Sequence, residues 1–366
     1  MSFFKKSVFI GIGIFVPLIV CCVILELIFG AWLFEDKWRQ TREINIIRNV
    51  KIDYDVKNIY GNKMPFVHYS RDKNGLRGGC KEPSSIDILT LGGSTTDQRY
   101  IGDGGTYQDE LQKLLSEYND KKVCVSNAGV DGHSTYGHLA AFKYWLPLID
   151  GLKPHYFLLY VGINDAGFRF TPNAGADVAK GSAFFSNIRQ KSALYALIKN
   201  LHTILISYTS QRAYAGHSVL SPADVDYVAF KLTNGAESQI RHNTEEFKKR
   251  FTLILDQINE IGGTPICVSQ PHQYAKDIQG TKRGVTNVFE YQGVNYNGLD
   301  YDASIYSLNQ EMKTLCVEHN GYFIDVYAMN FDKSDFYDGV HMSPKGAKRL
   351  GGYLFKEFLE QDIPIK

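Results

Sequence analysis

Five short β-rich runs, alternating with stretches of helical periodicity, constrain this chain more than any other feature. Strands are expected over Ile86 to Leu91, Lys122 to Ser126, Tyr156 to Val161, Pro265 to Ser269 and Tyr322 to Val326. Helices are expected near Gly105 to Tyr118, Tyr136 to Leu148, Glu237 to Ile261, Tyr301 to His319 and Pro344 to Glu360. Such alternation predicts a mostly parallel five-stranded sheet with helices on both faces, a three-layer α/β/α sandwich. Side chains that do chemistry should then gather beyond the carboxyl ends of the strands.

At 366 residues the chain can hold one α/β domain with insertions and a membrane anchor besides. After Lys5 and Lys6, residues Val8 to Phe34 are apolar almost throughout, interrupted by Pro17 and Glu26. As a helix such a run reaches roughly 40 Å, against a hydrocarbon core of about 30 Å. Gly30-Ala31-Trp32 is a poor cleavage site, so residues 1–34 are expected to form a cytoplasmic leader and an uncleaved transmembrane signal anchor. Lys37, Arg39, Arg42, Arg48 and Lys51 follow the run and argue for a cytoplasmic main domain. The basic leader, and the ease with which long domains translocate, argue the other way. The expectation is a single-pass membrane protein with its main domain extracytoplasmic. Residues 35–80 read as a connecting lead-in and 81–366 as the main domain. Within it, a helical insertion near 168–236 is long enough for a lid and includes the helical periodicity of Asn187 to Leu205.

Forty Lys and Arg against 39 Asp and Glu leave a net charge of +1, which gives no field for a nucleic-acid partner. The six cysteines show no C-x-x-C zinc pattern, and Cys124 and Cys267, inside strand-like runs, read as small buried hydrophobes. On that reading cysteine usage does not identify a redox compartment.

The chemistry concentrates in four segments. Leu89-Thr90-Leu91-Gly92-Gly93-Ser94-Thr95-Thr96-Asp97 runs an apolar strand into a glycine pair and a serine. The turn can lift Ser94 to the amino end of the next helix, where free N–H groups favour negative charge; alone, this serine is open between nucleophile and helix cap. No Gly-Lys-Ser/Thr ending supports a phosphate loop. The second strand ends in Asn127-Ala128-Gly129-Val130-Asp131-Gly132-His133-Ser134 and the third in Val161-Gly162-Ile163-Asn164-Asp165. Asp335-Phe336-Tyr337-Asp338-Gly339-Val340-His341 precedes Ser343-Pro344, which opens the last helix. A parallel sheet would bring the ends of these segments together.

These four blocks resemble the SGNH (GDSL-like) hydrolase family, whose members contribute in chain order a serine, a glycine, an asparagine and an Asp-x-x-His pair. Coverage runs from about residue 70 to the end, and Arg71-Asp72-Lys73-Asn74-Gly75-Leu76-Arg77-Gly78 looks like the lead-in of membrane-anchored members. The first block departs from the commoner Gly-Asp-Ser by reading Gly-Gly-Ser-Thr. The resemblance implies a flavodoxin-like SGNH fold. It also implies Ser94 as nucleophile, an Asp338 and His341 pair completing a triad, and an oxyanion hole of the Ser94 backbone, Gly132 and Asn164. Gly132 is preferred to Gly129 on the family's Gly-x-Ser/Thr spacing.

Those residue types suit ester cleavage. A serine hydroxyl becomes nucleophilic when a neutral imidazole takes its proton, and an aspartate three residues earlier can fix the imidazole tautomer. His133 and His272 are expected near the pocket mouth as further substrate-contact candidates. A metal site from His133, Asp165 and His341 lacks a short ligand motif, and neither metal nor cofactor is expected. Tyr291, Tyr296, Tyr301 and Tyr306 could stack on sugar rings or simply pack a surface loop, while Phe168, Phe170, Phe184 and Phe185 read as lid packing.

The expected activity is removal of an acyl group, acetyl first, from a cell-envelope carbohydrate or related ester. The same acyl-enzyme could instead pass its acyl group to a glycan hydroxyl, an O-acyltransferase reading that calls for an acyl-donor membrane protein. A noncatalytic glycan-binding or assembly protein on the hydrolase fold is the third reading.

Overall fold

The computed structural model describes residues 3–33, 37–167, 188, 191–198, 201, 226–286, 288–291 and 293–365. They fall in two compact units, one of residues 1–44 with 179–215 and one of residues 45–178 with 216–366.

In the first unit the apolar N-terminal run folds as helix α1 (Phe3–Phe29). Among the described residues, however, no helix is long and apolar enough to cross a membrane. This overturns the expected signal anchor, the attachment to a membrane through this helix, the single-pass topology and the extracytoplasmic placement that depended on it. The run is broken by Pro17 inside the helix and by Glu26 near its end. The Glu26 carboxylate accepts from Ser192 Oγ, from Ala193 N at 3.0 Å, from Leu194 N at 3.1 Å and from Trp32 Nε1 at 2.7 Å. Burial works to raise the Glu26 pKa, yet these bonds hold it below the usual carboxylate value. A carboxylate that collects four donors answers to polar partners that hydrocarbon does not supply. Most of the insertion expected near 168–236 lies outside the described residues, as do Phe168, Phe170, Phe184 and Phe185; residues 193–198 are helical.

The second unit opens with an antiparallel pair, β1 (Val50–Asp55) and β2 (Phe66–Arg71), registered from Val50 opposite Arg71 to Asp55 opposite Phe66. A short helix, α2 (Lys57–Tyr60), lies between them. There follow β3 (Ile88–Gly92), α3 (Ser94–Asp97), α4 (Tyr107–Asn119), β4 (Val125–Asn127), α5 (Thr135–Tyr144) and β5 (Tyr156–Tyr160). Next come β6 (Tyr227–Val228), α6 (Ala236–Glu260), β7 (Thr264–Val268), β8 (Ala275–Ile278) and β9 (Thr281–Val285). The unit ends with β10 (Phe289–Tyr291), β11 (Val294–Tyr296), α7 (Gly298–Glu318), β12 (Tyr322–Ile324) and α8 (Pro344–Glu360).

The main sheet has the order β12-β7-β5-β3-β4, and every pairing in it is parallel. Its strands are the five expected ones, with no end shifted by more than four residues, and the five expected helices flank it within the same limit. The chain starts at β3, steps to β4 on one edge, then returns past β3 to β5 and proceeds to β12. That reversal opens a crevice at the carboxyl ends of β3 and β5. Both strands are buried along their whole length, as befits central parallel strands covered on two faces. Helix α4 packs with α8, and α6 packs with both α5 and α7. Leu111 from α4 and Leu350 and Leu354 from α8 close over Ile88, Leu158, Ile266 and Ile324 of the sheet.

Two features differ from the sequence reading. Cys80 pairs with Cys124 and Cys267 with Cys316 as disulfides, Cα atoms 5.7 and 6.3 Å apart, so Cys124 and Cys267 are cross-links and not free buried hydrophobes. Three small sheets were also unforeseen: β1-β2, β6-β9-β8 and β10-β11. The last of them holds Tyr296, which is buried and stacks on Phe289 with centroids 5.3 Å apart, whereas Tyr306 on α7 is exposed.

Candidate active site

Strand β3 delivers Ser94. Its buried Ile88 to Gly92 are held by ladders to β4 and β5, so the point where the strand stops is fixed from both sides. The chain turns at Gly93, and Ser94 begins the single-turn helix α3. Gly93 is required by close approach: a Cβ there would stand 2.8 Å from Asn164 Nδ2 and 2.9 Å from the His133 carbonyl.

The stretch before α8 delivers Asp338 and His341. Tyr337 N donates to the His341 carbonyl at 3.0 Å, and Phe336 bridges Met342, which folds residues 336–342 back on themselves. Within that turn Asp338 Oδ1 accepts from Val340 N at 2.9 Å and His341 N at 2.7 Å. Asp338 Oδ2 lies 2.7 Å from His341 Nδ1, and His341 Nε2 lies 2.7 Å from Ser94 Oγ. A carboxylate facing Nδ1 places the ring proton there and leaves Nε2 to accept from the serine hydroxyl. Ser343 then caps α8, its Oγ accepting from Gly346 N at 3.2 Å, with Pro344 at the first helical position.

Asp338 and His341 are both buried. Burial works to lower the His341 pKa, but the charge and hydrogen bond of Asp338, aided by the charges of Asp131 and Asp97, raise it above the ordinary imidazole value.

The remaining expected residues surround this chain of contacts. Asn164 Nδ2 donates to the His133 carbonyl at 2.9 Å, which turns its amide toward the backbone of Gly93 and leaves one amide hydrogen unused by that bond. Gly132 has φ +80, a left-handed conformation that a side chain would strain. Among the described residues neither the Ser94 N–H nor the Gly132 N–H has a protein acceptor. The His133 ring is buried, its edge toward His138 with centroids 5.8 Å apart, so what it offers this region is its carbonyl. His272 has both ring nitrogens occupied: Nδ1 accepts from Tyr274 N at 3.1 Å and Nε2 lies 3.2 Å from Asp302 Oδ1. Asp165 is likewise engaged, by Thr135 N at 3.1 Å and Arg250 Nη2 at 3.4 Å.

Sequence reasoning missed the charges beneath α3. Asp97, fully buried, accepts from Arg71 Nη2 at 2.7 Å and Tyr69 OH at 2.9 Å, with Arg99 Nη2 at 3.4 Å. Burial works to raise the Asp97 pKa, but Arg71, Arg99 and Arg77 bring it below the usual value. Arg99 also reaches Asp131 at 3.1 Å, both side chains being partly exposed. The signal was present in the arginines of residues 71–77, which had been read only as a lead-in. It missed too the ring of Tyr337, which lies parallel to that of His341.

The model of the GDSL-like Lipase/Acylhydrolase family matches residues 90–349, more than half of the chain. No curated protein matches it. Among solved structures, Axe2, an acetylxylan esterase from Geobacillus stearothermophilus, is similar at 12% identity and a TM-score of 0.40, over 75% of this chain and 92% of that one. A member of the lipolytic protein G-D-S-L family from Veillonella parvula DSM 2008 is similar at 14% identity and a TM-score of 0.39, over 75% of this chain and 97% of that one. At these scores the two structural likenesses add no weight to the family match.

Proposed function

The chain belongs to the GDSL-like lipase/acylhydrolase family, a family of hydrolytic enzymes acting on esters, and from that premise we propose that it is a serine esterase with Ser94 as nucleophile, His341 as general base and Asp338 as its orienting carboxylate. The observation that carries this reading is the unbroken hydrogen-bonded run from Ser94 Oγ through the His341 ring to Asp338, with 2.7 Å at each step.

In the proposed reaction Ser94 Oγ bonds to the ester carbonyl carbon while its proton passes to His341 Nε2. Charge gathers on the carbonyl oxygen, where the Ser94 and Gly132 N–H groups and the Asn164 amide serve as donors. The carbon–oxygen bond to the alcohol then breaks, and the proton on His341 goes to the departing oxygen. Water repeats the sequence on the acyl-enzyme, releasing the acid and restoring Ser94. Asp338 stays ionised throughout and balances the imidazolium as it forms. On this reading His133 orients Asn164 through its carbonyl, while the His272 ring is taken up by Asp302 and Tyr274.

We assign acetyl as the acyl group and a carbohydrate as the alcohol. The partly exposed Arg99 and Asp131 pair beside Gly132 supports a hydroxylated alcohol over an alkyl one, since sugar hydroxyls take charged hydrogen-bond partners. Hydrolysis of 4-nitrophenyl acetate and of acetylated oligosaccharides by wild type, Ser94→Ala and His341→Ala tests the proposal. Release of acetate that vanishes in both variants is expected. Turnover surviving Ser94→Ala sinks the triad, and octanoyl esters cleaved faster than acetyl ones sink the acyl assignment.

A further inference from the structure

The ring of Tyr337 lies parallel to that of His341 and offset from it, with centroids 5.5 Å apart and planes 7° from parallel. Two other tyrosines hold Tyr337 edge-on: Tyr60 at 6.1 Å and 88°, and Tyr100 at 6.2 Å and 66°. Tyr100 in turn meets Tyr54 at 5.6 Å and 89°. Tyr54 belongs to β1 and Tyr60 to α2, so part of this support comes from the hairpin of residues 50–71, upstream of the family-matched residues 90–349 that contain Tyr100.

On the reading of His341 as the base, we infer that Tyr337 is a positioning residue for it and that Tyr60 is the brace that keeps Tyr337 in place. Asp338 fixes where Nδ1 points but leaves the imidazole free to tilt about that bond. A flat phenol against the ring face removes the tilt and keeps Nε2 aimed at Ser94 Oγ. The edge-to-face contacts of Tyr60 and Tyr100 are the favoured geometry for neighbouring aromatic rings, so they restrain Tyr337 without strain.

The role predicts a pattern that loss of packing alone does not. With 4-nitrophenyl acetate, Tyr337→Leu in the full chain should lower kcat by about 3- to 30-fold through misaimed Nε2, while KM stays within about twofold. Tyr337→Phe keeps the ring and should restore kcat to near wild type. Tyr60→Ala should lower kcat in the same sense, and the double variant should lose little more than Tyr337→Leu alone, because the brace acts only through the ring it holds. Unchanged kcat in Tyr337→Leu, a Phe variant as slow as the Leu one, or additive losses in the double variant would each overturn the inference. If Tyr337→Leu does not fold, Tyr60→Ala decides alone, and wild-type kcat in it is the overturning result. Ser94→Ala is run beside them. Activity that survives it refutes the serine-esterase reading, whereas Ser94-dependent activity indifferent to Tyr337 refutes only this inference.

Discussion

Arg71 Nη2 meets Asp97 Oδ1 at 2.7 Å, with neither side chain more than 2% exposed, at the far end of the single-turn helix that Ser94 begins. A buried charge left without its partner is strongly destabilising even where the intact pair contributes little net. Arg71→Ala should therefore cost about 3 kcal/mol or more, less whatever Arg99 recovers by moving closer. Urea denaturation followed by fluorescence measures this, and a loss under about 1 kcal/mol would show that Asp97 does not depend on Arg71.

Asp338 raises the His341 pKa, and in the proposed mechanism His341 must be neutral to accept the serine proton. In wild type kcat/KM should thus rise with pH through a value above the ordinary imidazole pKa of about 6.5. Asp338→Asn removes that charge, so burial should carry the limb to lower pH while maximal kcat falls by about 10,000-fold through the wrong tautomer. The sign follows for folding too: a pKa raised in the folded state contributes stability below the unfolded value, which fades as pH climbs through the folded one. A pH–rate profile that Asp338→Asn leaves in place would contradict the assigned partner.

Asn164 holds the His133 carbonyl with one amide hydrogen, and the proposal gives the other to the developing oxyanion. Asn164→Ala should lower kcat by about 100- to 1,000-fold with KM little altered, the signature of a donor that matters only in the transition state. Steady-state kinetics on a single acetyl ester is sufficient. An effect confined to KM would move Asn164 to ground-state binding.

The Cys267 to Cys316 bond joins central strand β7 to helix α7 across a sequence separation of 49. Replacing both with serine should cost about 2–5 kcal/mol, since the loop it closes is long and the site well buried. Thermal unfolding of the double variant, set beside the reduced wild type, gives the number. Melting unchanged in both would mean that the cross-link adds nothing.

Much of this architecture could be read without coordinates, for a physical reason. Runs such as Ile88 to Gly92 and Tyr156 to Tyr160 are apolar without alternation because both faces of a central parallel strand are covered, and α8 announces itself through Ser343, Pro344 and its amphipathic spacing. Ser94, Asp338 and His341 stand out in the sequence through the resemblance of their segments to the SGNH blocks, and the structure brings the three within hydrogen-bond reach of one another. What could not be read depends on partners distant in sequence. The apolar run containing Glu26 was misjudged because hydropathy treats that carboxylate as one charge among many, whereas Ser192 to Leu194 give it donors. The pairings of Cys80 with Cys124 and of Cys267 with Cys316 span 44 and 49 residues and leave no local motif. From the sequence His133 and His272 are candidates for substrate contact, and only side-chain geometry tells which of their atoms are already taken.

The hairpin β1–β2 moves the useful boundary of the catalytic unit. A fragment cut to the family-matched residues 90–349 omits Arg71, whose guanidinium neutralises Asp97, and Tyr60, whose ring borders Tyr337; it also ends inside α8. Such a fragment retains every residue of the proposed chemistry and discards the partners that compensate Asp97 and border Tyr337. The smallest piece worth expressing begins near residue 45, where the chain enters its second unit, and runs to the end of α8.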